Sequence, residues 1–142
     1  METNTALFET AFQKVRDYAT NLGLVLKEVD RDEELIVVED VERSIGHMVI
    51  DCEAPILEIR QAIMDVPAGT DARDLFERLL QMNEQLVHGA FALNADGTRV
   101  VFRDTLRLKT LDQAELEGTI SAFELGMLEF GDELIALRRA LD

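Results

Sequence analysis

The last 32 residues, LDQAELEGTISAFELGMLEFGDELIALRRALD, constrain the fold more than any other part of the chain. Leu116, Ile120, Phe123, Met127, Phe130, Leu134, Leu137 and Leu141 recur there with gaps of 4, 3, 4, 3, 4, 3 and 4. That spacing predicts one long helix with a single apolar seam. A heptad-like seam also suits a coiled coil. The flanks argue against self-pairing along it, because Glu117, Glu124 and Glu133 are acidic and only Arg138 offsets them. Gly118, Gly126 and Gly131 each cost about 1 kcal/mol relative to alanine inside a helix. Small residues beside an apolar seam permit another element to come close, so the helix is expected to pack on the chain's own sheet. Its length is a problem of its own. Thirty helical residues reach about 45 Å, whereas a compact chain of this size is roughly 37 Å across. The helix is expected either to bend near Gly126 or Gly131 or to bring its C-terminal turn against a second subunit.

The rest of the chain supplies the layer that this helix needs. Phe8, Phe12, Val15, Ala19 and Leu22 predict a first helix over 4–23, ended by Gly23. Strands are expected at LVLKEV (24–29), LIVVE (35–39) and HMVIDC (47–52), with DVERSIG as an irregular reversal. The run ILEIRQAIMDV (56–66) is long enough for a helix, but its β-branched residues and the flanking Pro55 and Pro67 favour a fourth strand. A helix follows, capped by Thr70 or Asp71, with Asp74 in its first turn and Leu75, Leu79, Met82 and Leu86 as its stripe. Two strands then flank NADG (94–97). The order α-β-β-β-β-α-β-β-α indicates an α+β fold, one largely antiparallel sheet packed by helices. Without linker or repeat, residues 1–142 read as a single domain.

NADG lacks the pattern of a calcium loop. With Gly97 sixth, positions one, three and five hold Ala92, Asn94 and Asp96, and position twelfth holds Arg103. A calcium loop wants acidic ligands at the early positions and a glutamate at the twelfth, so NADG is expected only to turn a hairpin. Other chemistry is equally thin. His47 and Asp51 stand four apart on one strand, an arrangement most simply read as two solvated side chains. His88 precedes Gly89 at a helix-to-strand junction, where it suits a cap better than base catalysis. Ser44 and Ser121 lack a nearby base. Cys52 reads as a buried thiol. Metal spacings such as H-x-x-x-H or C-x-x-C and phosphate loops are missing. No enzyme, cofactor or metal is expected.

Charge narrows the partners. With 29 acidic against 14 basic residues the formal net charge is −15, a field that repels nucleic acid and anionic membrane. The N-terminus does not read as a signal peptide and no apolar run spans a bilayer, which gives a cytoplasmic expectation by default. Against that acidic background, Arg99, Arg103 and Arg107 line one side of TRVVFRDTLRL, separated by Val101 and Thr105. Arg60 is expected to join them across the sheet. Pairing with the protein's own carboxylates explains such a row. The sharper reading makes Arg60, Arg99, Val101, Arg103 and Arg107 a partner-contact face.

The stretch LLQMNEQLVHGAFALNADGTRVVFRDTL resembles the central pattern of YbjN-type domains, which are similar to the Tir-chaperone class of type III secretion chaperones. The resemblance rests on Asn83, on Gly89 and Phe91, on Asp96 and Gly97, and on Val100, Phe102 and Leu106. An acidic helix from LDQAELEG onward also fits. It implies an acidic, non-enzymatic homodimer that binds protein segments, with no catalytic residues to carry over. The fourth strand before the middle helix departs from the three usual in secretion chaperones. The first expectation is therefore a chaperone-like or regulatory protein-binding module. It would dimerise through helix 70–86 or adjacent strands, and a partner strand could add to a free sheet edge. The alternative is a small-molecule or ion-sensing domain with its ligand between sheet and helices.

Overall fold

A computed structural model describes the backbone of residues 2–142 and the side chains from residue 11 onward. The side chain of Phe8, placed in the first helix's stripe, lies outside the described residues. The elements are α1 (Glu2–Asn21), β1 (Val25–Asp30), β2 (Leu35–Asp40), β3 (Ile45–Glu53), β4 (Ile56–Asp65), α2 (Arg73–Gln85), β5 (Ala90–Leu93), β6 (Arg99–Arg107) and α3 (Gln113–Arg139). A single 3-10 turn at Val41–Arg43 joins β2 to β3. The fourth strand before α2 is present, so the expected element order holds in full.

All six strands form one antiparallel sheet in the order β1-β2-β3-β4-β6-β5. Strand alternation sends Ile36, Val38, Met48, Ile50, Leu57, Ile59, Phe91, Val100 and Phe102 to one face. There they meet Val15 and Ala19 of α1, Leu75, Leu79 and Met82 of α2, and Leu116, Ile120, Phe123, Phe130 and Leu134 of α3. The predicted seam of α3 is thus spent on the protein's own core. Phe102 sits at its centre, edge-on to Phe123 at 5.1 Å and to Phe91 at 6.4 Å between ring centroids.

Local chemistry explains the element ends. After α1, Gly23 takes φ 83°, its N–H donates to the Thr20 carbonyl, and the Leu24 N–H donates to the Ala19 carbonyl. This is the Schellman arrangement, with buried Leu24 and Ala19 as its apolar contact. The start of α2 differs from expectation. Ala72 holds the cap position with no side-chain bond, because Thr70 turns back to the Pro67 carbonyl. Asp71 still accepts the Arg73 N–H. At NADG the Asn94 side chain accepts from the Thr98 and Arg99 N–H groups, and Gly97 has φ 74°. Thr98 donates to Asp96, and that bond above all holds the Asp96 carboxyl below its ordinary range. NADG is a hairpin turn stapled by its own side chains.

α3 runs unbroken for 27 residues, about 40 Å at 1.5 Å per residue. Two of its glycines are explained by close approach: a Cβ on Gly126 would lie 3.1 Å from Leu86 and one on Gly118 would lie 3.4 Å from His88. The segment after α2 therefore nests against α3. Arg78 of α2 forks onto Glu133 of α3 and lies over the Phe130 ring at 5.8 Å.

Candidate partner-binding surfaces

The helices leave the other face of the sheet uncovered, and β6 places the predicted arginine row there. Arg99, Val101, Arg103, Thr105 and Arg107 alternate with the core residues, and Arg60 of β4 stands directly opposite Arg103. Two like charges in that position repel. Glu58 resolves the conflict. One of its carboxylate oxygens accepts from Arg103 Nη2 at 2.7 Å and Nε at 2.9 Å, and the other lies 3.5 Å from Arg60 Nη1. Arg99 pairs with Asp65 at 3.0 Å. Arg107 forms no ion pair among the described residues. The five residues are brought together on one surface as expected, but three of the four guanidinium groups are already partnered within the chain. Val101 is only 6% exposed although no helix covers it.

The same face concentrates acid at its other side. Asp51 of β3 stands opposite Glu58, and its Oδ1 is buried without a hydrogen-bond partner. Burial first, then the nearby charges of Glu53, Glu58 and Glu33, pushes its carboxyl up to about 6. No ion pair joins Asp51 to His47 among the described residues, and His47 sits at φ 57°, outside regular strand geometry. Cys52 is half-buried, and burial pushes its thiol up to about 12, so it holds no ready thiolate.

A second surface lies where α2 meets the short edge strand β5. Asn83, in the last turn of α2, grips Phe91 from outside the sheet. Its Nδ2 donates to the Phe91 carbonyl at 3.0 Å and its Oδ1 accepts the Phe91 N–H at 2.7 Å. The side chain thus occupies the backbone groups that an incoming strand would need. Gly89 precedes this strand at φ 75°, and a Cβ there would collide with the Phe102 ring. Beside the clamp is a groove of about 160 Å³, lined by Phe76, Leu79, Leu80, Phe91 and Leu93 and almost wholly of carbon. Leu80 at its rim is 71% exposed and Leu93 is 44% exposed. Across β5 the open face carries only Ala90 and Ala92, opposite Arg103 and Val101. The groove and the arginine face therefore meet over a low edge.

Sequence reasoning singled out the arginines and missed the groove. Leu80 was the available signal, since it falls off the stripe of Leu75, Leu79, Met82 and Leu86. The opposite edge, β1, is blunted differently, by a register shift between Leu26 and Glu28 and by charged Lys27, Glu28 and Asp30. No helix among the described residues is long and apolar enough to cross a membrane.

Comparison with known proteins places these surfaces on a familiar fold. The CesT_Tir_1 family model matches residues 8–140. No curated protein matches the sequence. Among solved structures, YbjN from E. coli is similar at 12% identity and a TM-score of 0.62, covering 86% of this chain and 92% of that one. The heterodimeric ExoU–SpcU complex from the type III secretion system of Pseudomonas aeruginosa contains a chain similar at 17% identity and a TM-score of 0.62, over 86% of this chain and 95% of that one. The type III secretion chaperone SycH of Yersinia pestis, in complex with a fragment of YscM2, matches at 16% identity and a TM-score of 0.54, over 90% and 99%. At such identities the likeness is one of fold.

Proposed function

The chain belongs to the CesT_Tir_1 family, and on that premise we propose that it is a non-enzymatic protein-binding module, chaperone-like or a regulatory adaptor, that acts in the cytoplasm as a single-domain homodimer. The carbon-lined groove between α2 and β5 carries this reading. A large apolar side chain such as Leu80 at 71% exposure is poorly placed in water and well placed against a partner. A partner segment lays its apolar side chains into the groove and crosses Ala90 and Ala92 to reach Val101, Arg103, Arg60, Arg107 and Arg99. Arg107 is the guanidinium most available to it. Structures of the same fold support the reading, since SycH is seen with a fragment of YscM2 and SpcU with ExoU. Both edges of this sheet are blunted, so side-chain docking rather than strand addition is the expected mode.

Affinity purification of the tagged chain, beside Leu80→Arg and Arg107→Glu, tests the proposal. Recovery of one stoichiometric protein by the wild type and its loss from both variants is expected. A partner retained undiminished by both variants removes these surfaces from the account.

One feature favours the alternative of a ligand-sensing domain. A cavity of about 390 Å³ between β4 and α3 is lined by Gln61, Ile63, Phe123 and Met127, and Gln61 Oε1 is buried there without a partner. A thermal shift produced by a metabolite or calcium, with no protein partner present, would favour it.

A further inference from the structure

The outer side of α3 is more apolar than its position allows for a helix facing only water. Its inner seam is buried in the core, yet Leu125, Leu128 and Ile135 on the other side are 63%, 76% and 52% exposed. A helix that is apolar on both sides is built to be covered on both sides. Its glycines mark where. Gly118 and Gly126 are filled by His88 and Leu86, whereas a Cβ on Gly131 would meet nothing within 4 Å. Gly131 lies midway between Leu128 and Ile135, and it opens onto the 390 Å³ cavity that Ile135, Met127 and Ile63 also line.

The pattern around Gly131 is close to a palindrome in chemistry. Residues 128, 131, 132 and 135 have the spacing of a hole that receives a knob from a facing helix. Under an antiparallel two-fold axis between residues 131 and 132, Leu128 of one copy faces Ile135 of the other. By the same rule Glu124 faces Arg139, and Leu125 faces the stem of Arg138. Opposite charges thus meet at both ends, with Leu128, Ile135 and the open glycine between them and the exposed Asp132 of each copy beside the axis. A parallel pairing would instead set Glu124 against Glu124. Within the chain Glu124 pairs with Arg43 at 3.6 Å and stays 38% exposed, so Arg139 of a second copy would share an existing ion pair. Arg139 forms no ion pair among the described residues.

We infer that the outer face of α3 is the homodimer interface, two copies packing antiparallel about Gly131 with Leu128 seated in the partner copy's cavity. This rests on the homodimer reading above and locates it away from helix 70–86, leaving the α2–β5 groove free for partner segments. It also accounts for a helix longer than its own domain needs.

Sedimentation equilibrium over a range of concentrations tests the inference, with thermal melts to confirm that each variant folds. The wild type is expected to dimerise and Leu128→Arg to be monomeric. Glu124→Arg and Arg139→Glu each set like charges together and are expected to weaken dimerisation about tenfold or more. The double variant exchanges the pair and restores it, which a general surface effect would not do. If Leu80→Arg dissociates the dimer while Leu128→Arg leaves it intact, the interface is at α2 and the inference is overturned, with the homodimer reading standing. A wild type that is monomeric throughout overturns both.

Discussion

The two faces of the sheet solve opposite problems with the same strands. On the covered face the positions from Ile36 to Phe102 are apolar apart from Gln61 and are sealed by three helices, so its contribution is burial. On the open face the positions in between hold Glu58, Arg60, Arg103 and Asp51, charges that neutralise or strain one another in water. The first face holds the fold together; the second, with the groove at its β5 edge, is the surface proposed for partner contact. This charged face is not freely available. Three of its four arginines are held by the chain's own carboxylates, and a partner docking there would have to compete for them.

The contrast can be broken most severely from the covered side. Phe102→Ala removes the ring that joins Phe91 to Phe123 and is expected to cost about 3–5 kcal/mol in urea denaturation. Asn83→Ala comes next. It orphans the Phe91 N–H and carbonyl and is expected to cost about 1–3 kcal/mol, with β5 amides losing hydrogen-exchange protection first. On the open face the sign reverses. Asp51→Asn removes a half-buried charge whose carboxyl is pushed up to about 6, so the variant is expected to be more stable by about 1 kcal/mol at pH 7.5 after allowance for solvent screening. A raised carboxyl destabilises the fold where it is ionised, above about pH 6. The gain should therefore shrink as the pH falls toward 4, and a gain that grows on acidification would contradict the assignment. Smallest in stability is Arg103→Glu, which sets a third acid beside Glu58 and Asp51. A loss under about 1 kcal/mol is expected in thermal melts, with partner capture reduced far more than stability.

Much of the fold was legible because two periods carry it. The 4-3 spacing from Leu116 to Leu141 and the alternation in HMVIDC and VVFRDTL each assign a face without further knowledge. ILEIRQAIMD could be read correctly as strand because its β-branched residues outweighed its length. The cap of α2 could not, since Thr70 has a better bond to the Pro67 carbonyl. The candidate surfaces divide in the same way. The arginine row follows from alternation alone, but its partners depend on register, which puts Glu58 between Arg60 and Arg103. The groove depends on where α2 crosses β5, and the role of Asn83 requires knowing that β5 lies at the edge. Neither is a local property of the sequence.

Binding of a protein segment in the groove between α2 and β5 is the proposal on which the rest depends. Its most direct test is the amount of partner recovered by Leu80→Arg relative to wild type, in material whose melting temperatures agree. The account predicts a stoichiometric partner on the wild type and at least a tenfold loss on the variant. Equal recovery by both would contradict it.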